Sequence, residues 1–211
     1  MAERSPQVTA HPWHGVSLGD RAPDVVTCYI EIVPTDTVKY ELDKASGLLK
    51  VDRPQKFSNV VPSLYGFLPR TYCAEHLAKR CMDRTGKKDI VGDGDPLDVC
   101  VLSERQLTHG GLIVTARPIG GLRMIDKGQA DDKIIAVLDG DAAWGGFTEV
   151  AQLPIGLLRR LEHYFLTYKL DPEQPERFPE RFVEIPEIYD AAEARNVINE
   201  TRKDYAVHYT A

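Results

Sequence analysis

Short apolar–polar alternations, each cut off by Gly, Pro or Asp, limit what this chain can build. Val26, Cys28, Ile30 and Ile32 alternate with Thr27, Tyr29 and Glu31, the period-2 pattern of a half-buried strand. Val38-Lys39-Tyr40-Glu41-Leu42 alternates too, and Asp43-Lys44-Ala45-Ser46-Gly47 supplies turn chemistry before a third run at 48–51. Further strand-like runs cover 98–102, 112–118, 122–125 and 133–138. Strands this short, divided by turns, predict a small barrel or a strongly curved sheet.

The last third changes period. Leu157, Leu158, Leu161, Tyr164, Phe165 and Tyr168 recur at helical spacing behind a start at Pro154, and Ala191, Ala194, Ile198, Thr201 and Tyr205 repeat the pattern near the C-terminus. A Pro-rich connection, 171–186, lies between them. The expectation is an α+β fold with a mainly β core, helices packed outside it, and one domain over 1–211 with residues 1–24 as an N-terminal arm. A length of 211 residues suits a single domain with a real core. No apolar run approaches the roughly 20 residues of a membrane helix. The start MAERSPQVTAHPWHG lacks the apolar stretch of a secretory signal. A cytoplasmic location, with no membrane partner, is expected. The net charge of −6 argues against a nucleic-acid surface. Cys28 and Cys100 sit in apolar runs and read as buried free thiols.

Chemistry concentrates in Gly92-Asp93-Gly94-Asp95-Pro96-Leu97-Asp98. Three carboxylates in six residues repel one another unless cations sit among them, and an all-oxygen donor set suits Mg2+, Mn2+ or Ca2+. Such a turn alone also reads as a solvated acidic loop. An EF-hand does not fit, because Leu97 and Asp98 occupy the fifth and sixth positions, where an oxygen ligand and a glycine belong. Asp126, Asp131, Asp132 and Lys133 form a second cluster about 30 residues on. Together the clusters offer ligands for two or more metals, an arrangement that activates water and neutralises a phosphoryl group. Glu31, Lys39, Glu41 and Arg53 share polar strand faces and, taken alone, read as a solvated surface with cross-strand ion pairs before they read as parts of a site.

These residues resemble a family. Asp93-Gly94-Asp95-Pro96-Leu97-Asp98 matches the D-x-D-P-x-D motif of the soluble inorganic pyrophosphatases of the first family. The likeness extends through Ile30-Glu31-Ile32, Lys39-Tyr40-Glu41-Leu42-Asp43-Lys44, Ser46-Gly47, Val51-Asp52-Arg53 and Tyr65-Gly66. It continues through Arg117-Pro118-Ile119-Gly120, Met124-Ile125-Asp126, Asp131-Asp132-Lys133 and Tyr168-Lys169. It covers about 25–170 in order. The resemblance implies a closed, OB-like five-stranded β-barrel with peripheral helices. It also implies hydrolysis of pyrophosphate to two phosphates by a metal-activated water, with several Mg2+ per site, Mn2+ or other divalents as substitutes, and no covalent intermediate. Asp93, Asp98, Asp126, Asp131 and Glu41 would be metal ligands and Asp95 the general base. Lys39, Arg53, Tyr65, Lys133, Tyr168 and Lys169 would bind phosphate, with Glu31 in support. Relatives assemble, so a homo-oligomer is implied, a hexamer before a dimer.

The chain departs from compact relatives in one place: residues 68–91 separate Tyr65-Gly66 from the acidic turn. This insert is expected to be an exposed excursion without a catalytic part. Its Arg70, Lys79, Arg80, Arg84, Lys87 and Lys88 suggest a subunit contact rather than steering of the substrate, and its Cys73, His76 and Cys81 lack a fourth ligand for zinc. A non-catalytic calcium-binding protein, or a two-metal hydrolase of organic phosphates, would be the rival functions. The first gives no role to Lys39, Arg53 and Lys169, and the second needs an apolar pocket that the sequence does not reveal.

Overall fold

A computed structural model describes residues 10–170 and 183–209. In chain order its strands and helices are β1 (Val26–Ile32), β2 (Val38–Leu42), β3 (Leu49–Pro54), β4 (Leu64–Phe67), α1 (Glu75–Thr85), β5 (Val91–Gly92), β6 (Asp98–Leu102), β7 (Leu112–Asp126), β8 (Gln129–Ala130), β9 (Lys133–Leu138), α2 (Ile155–Thr167), β10 (Val183–Asp190) and α3 (Ala191–Tyr209). The strands dominate, as the alternations predict, with three α-helices beside them. The 112–118 and 122–125 runs are one long strand, because Pro118 sits where the β7–β9 register shifts and costs no ladder bond there.

β1 pairs with both β4 and β7, β4 continues to β6, and β6 to β9, which returns to β7. β10 adds to the other edge of β7, and β2–β3 forms a separate hairpin. Where β4 crosses β1, Gly66 is required: a Cβ there would lie 1.9 Å from the Tyr29 carbonyl.

β1 is buried on both faces rather than half-buried. Val26, Cys28 and Ile30 enter the largest core cluster, while Tyr29 joins Trp13, Leu42 and Phe67 in a smaller one. The same alternation sorts β6 and β9. Val99, Val101, Ile134 and Ala136 face α1 and α3, whereas Cys100, Leu102, Ile135 and Val137 face α2. The sheet therefore has two apolar sides with helices on each, and the four cysteines of the chain are buried and free.

The 68–91 segment is not an exposed excursion. It contains α1, whose Leu77, Ala78 and Cys81 are buried against α3. Arg80, Arg84 and Lys87 pair with Glu193, Glu187 and Glu184, and Lys79 pairs with Asp83 on its own helix. Polar residues disguised a helix with a narrow apolar stripe. The N-terminal arm is also tied down from residue 10: Trp13 is buried and its indole N–H donates to the Thr71 carbonyl at 2.8 Å. Of the expected 171–186 connection, 171–182 lie outside the described residues, and 183–186 begin β10.

Candidate active site

The acidic turn leaves β5 and enters β6. Gly94 takes a left-handed conformation (φ 75°) that a glycine adopts without strain. This brings the Asp95 N–H back to Asp93 Oδ1 at 3.0 Å. β5 pairs in parallel with β8, setting Asp93 beside the strand end that leads to Asp131. Parallel pairing of β6 with β9 places Asp98 opposite Lys133. Lys133 is buried, and its ammonium contacts both Asp98 and Asp131. Tyr65, opposite Cys100 in the β4–β6 ladder, donates its hydroxyl to Asp98 at 2.6 Å. Lys169, just past the end of α2, contacts Asp126 at the end of β7.

Strand alternation splits the second acidic cluster. Asp131 and Lys133 point to the α2 side, while Asp132 points to the α1/α3 side, where it is fully buried and pairs with Arg123 at 3.3 Å. Asp132 therefore stands outside the site.

The opposite wall comes from β1 and the β2–β3 hairpin. Lys39 bridges Glu41 (2.7 Å) and Asp52 (3.2 Å). Glu31 is buried and accepts the Leu42 N–H at 2.7 Å. These walls enclose a cleft of ≈ 610 Å³ lined by twelve of the thirteen expected residues: Glu31, Lys39, Glu41, Tyr65, Asp93, Asp95, Asp98, Asp126, Asp131, Lys133, Tyr168 and Lys169. Arg53 is the thirteenth. It lies opposite Lys39 in the hairpin, outside the lining, with its guanidinium on Asp52.

The lining also includes residues that the sequence reading left without a role. Lys44 contacts the Asp95 carboxylate and donates to the Gly94 carbonyl at 3.2 Å. It stands three positions after Glu41, in the turn that closes the hairpin, and ends the 39–44 motif of the resemblance, which assigned it no role. Trp13 reaches the lining from the arm, with no pattern in the sequence to announce it.

Eight carboxyl groups face the cleft against five lysines. Burial, and then the Asp131 carboxylate, pushes Asp93 up to about 9. Burial, and then Asp98, pushes Glu31 up to about 8. Asp131 is also raised, by burial first. Burial opposes the charge on Lys133, but Asp131 and Asp98 outweigh it and hold the ammonium well above its ordinary value. Such a cleft carries more negative charge than its own lysines compensate, and it binds protons where it lacks cations.

The donor set fits hard divalent cations. It is all oxygen, it is over-supplied with carboxylates, and the buried Asp126 Oδ1 has no hydrogen-bond partner. Among the described residues no three Asp, Glu, His or Cys side chains already converge on one point. The ammonium groups of Lys133 and Lys169 occupy that role on Asp98, Asp131 and Asp126. His76 instead faces Asp204 through Nδ1 at 2.7 Å.

Comparison with known proteins agrees with the resemblance in the motifs. Residues 28–206 match the family described as inorganic pyrophosphatase. The inorganic pyrophosphatase of Chlamydia caviae is 51% identical over 205 residues, covering 97% of this chain and 95% of that one. The soluble inorganic pyrophosphatase of rice is 38% identical, over 95% of this chain and 82% of its own length. The crystal structure of the Thermus thermophilus inorganic pyrophosphatase superposes with a TM-score of 0.75 at 30% identity, covering 93% of this chain and 99% of that one. A match across nearly the whole length, in sequence and in fold, identifies this hydrolase as a member of the inorganic pyrophosphatase family.

Proposed function

We propose that the chain hydrolyses inorganic pyrophosphate to two orthophosphates, using several Mg2+ ions and no covalent intermediate. The observation that carries this reading is a single cleft in which surplus carboxylates stand beside lysines and tyrosines suited to phosphoryl oxygens. A multiply charged anion would be repelled by the carboxylates alone, so the site requires cations together with its substrate.

In this reading Asp93, Asp98, Asp126, Asp131 and Glu41 hold the ions, with Mn2+ as a substitute. Bound divalent cations would neutralise phosphoryl charge and lower the pKa of water at the site. Asp95 sits at the mouth of the turn, half exposed, and acts as the general base that takes the proton of the attacking water. Lys44 leaves Asp95 when it does so. Lys39, Lys133, Lys169, Tyr65 and Tyr168 receive nonbridging and leaving oxygens as charge builds on them. Arg53 joins them by releasing Asp52. Glu31, buried under the hairpin, holds the Leu42 N–H and so supports Glu41 next to it.

The circuit of pairings from β1 through β4, β6, β9 and β7 back to β1 supports a closed, OB-like five-stranded barrel within one domain. A homo-oligomer, hexameric rather than dimeric, and a cytoplasmic location belong to the same proposal, with the rice relative named as soluble in support.

The test is phosphate release from pyrophosphate with and without Mg2+, beside a nucleoside triphosphate control. Pyrophosphate turnover that disappears on exhaustive chelation and returns with Mg2+ is expected. Full turnover in the chelated protein, or a preference for the nucleotide, would overturn the reading.

A further inference from the structure

The acidic turn does not hold its shape alone. Cys73 N–H donates to the Asp95 carbonyl (2.9 Å), and Gly94 N–H donates to the Cys73 carbonyl (3.0 Å). Gly92 packs so tightly on the same backbone that a Cβ there would lie 2.2 Å from the Cys73 carbonyl. Residues 72–77 are therefore the template against which Asp93 and Asp95 are set.

That template is itself held from α3. Tyr72 N–H donates to the Thr201 carbonyl at 2.9 Å. Helix α1 opens at Ala74, which has no side-chain acceptor for the free N–H groups of the first turn. Asp204, fully buried on α3, supplies the missing cap from 130 residues away. Its Oδ2 accepts Ala74 N–H (3.0 Å) and Leu77 N–H (3.1 Å). Its Oδ1 accepts His76 N–H (2.9 Å) and faces His76 Nδ1 (2.7 Å). One carboxylate thus fixes three backbone amides at a helix N-terminus, where negative charge is favoured.

We propose that Asp204 is a positioning residue for the metal-binding turn: by capping α1 it fixes residues 72–77, and through them the placement of Asp93 and Asp95. This rests on the assignment of that turn as a Mg2+ site. Asp204 contacts neither the turn nor the cleft, and its effect passes through the Cys73 backbone. The 68–91 segment is then part of the catalytic scaffold.

The experiment compares Asp204→Asn with Val26→Ala, a core truncation on β1, which pairs with Ala116 of β7 and makes no hydrogen bond to residues 72–77 or the turn. Asn keeps the shape but replaces one carboxylate oxygen with an N–H2 that meets backbone donors. Two quantities are read well below the unfolding temperature: the Mg2+ midpoint of a calorimetric titration, and kcat with KM for pyrophosphate. Removing support behind a metal ligand typically costs about 10–100-fold in metal affinity, so Asp204→Asn is expected to raise the Mg2+ midpoint about tenfold or more and to lower kcat. Val26→Ala is expected to melt lower with both quantities unchanged. If Asp204→Asn keeps the midpoint and kcat of Val26→Ala, the residue only stabilises the fold and the proposal is wrong. Should Asp204→Asn not fold, His76→Ala removes one of the four contacts and leaves the backbone cap. A several-fold rise in the midpoint is expected, and a wild-type midpoint would overturn the proposal. Failure of the wild-type protein to bind Mg2+ would instead show that the underlying assignment is wrong.

Discussion

Binding of Mg2+ should expel protons from this protein. Asp93 stands at about 9 and Glu31 at about 8, so at pH 7 both carboxyl groups are mostly protonated while the metal is absent. A cation needs the carboxylate form of its ligands, so Asp93 must release close to one proton per chain at pH 7. Glu31 contributes less, because burial is its leading cause and a cation near Asp98 offsets only the second. The assay is calorimetric titration with Mg2+ in buffers of different ionisation enthalpy. Observed heat plotted against that enthalpy should give a slope of about one proton or more at pH 7, since Asp131 is raised as well, declining as the pH approaches 9. A zero slope at pH 7 would refute the reasoning, because it would mean that the cleft is fully ionised before the metal arrives.

The same groups set a pH trend in stability. An acid whose folded pKa is raised binds its proton more tightly in the native state than in the unfolded chain. Its contribution favours folding at low pH and is lost as pH rises through the folded value. The chelated protein should therefore melt at progressively lower temperature from about pH 6 to pH 9, the upper part of a fall that begins at the ordinary carboxylate values and ends at the raised values of Glu31 and Asp93. Saturating Mg2+ should flatten or reverse the trend.

Asp95→Asn should lower turnover about 10²–10⁴-fold, the usual scale for a general base, and leave the Mg2+-induced rise in melting temperature in place. Wild-type turnover across pH would remove Asp95 from that role. Arg123→Met should cost about 3–5 kcal/mol, because Asp132 would stay buried without its guanidinium. At about 2–4 °C per kcal/mol for a chain of this size, thermal unfolding should fall by roughly 6–20 °C, and adding Asp132→Leu should recover much of it. A loss under about 3 °C would show that the pair is dispensable. Gly66→Ala should abolish soluble folded protein, since the new methyl would overlap the Tyr29 carbonyl. Normal yield and melting would contradict that placement of β4.

Most strands were legible because alternation is a local property. The ends of β1, β2, β6 and β9 follow directly from where apolar and polar residues change places. β4 escaped notice because Leu64-Tyr65-Gly66-Phe67 is four residues long with a glycine chosen for a crossing rather than for its propensity. Twelve of the residues that line the cleft were legible from their motifs, but their grouping was not, since Asp98 meets Lys133 and Asp126 meets Lys169 only through pairings and helix docking between distant segments.

The hidden part is the support behind the site, and the reason is general to buried polar groups. Asp204 reads locally as one more charge on a helix that carries Glu193, Glu200, Arg202 and Lys203. Its burial is visible only once α1 lies against α3, because the amides that satisfy it belong to another segment. The same holds for Arg123, whose three carboxylate partners come from the residue before β9, from β10 and from α3. A periodicity argument sorts such residues to the solvent face, since it weighs hydropathy and ignores partners. Removing one partner from such a group costs far more than the pair contributes. In the 68–91 segment the sensitive positions are therefore the amides that Asp204 caps and the buried stripe of Leu77, Ala78 and Cys81. The more exposed Lys79, Arg84 and Lys87 should tolerate substitution, and no residue of the segment is placed in contact with substrate.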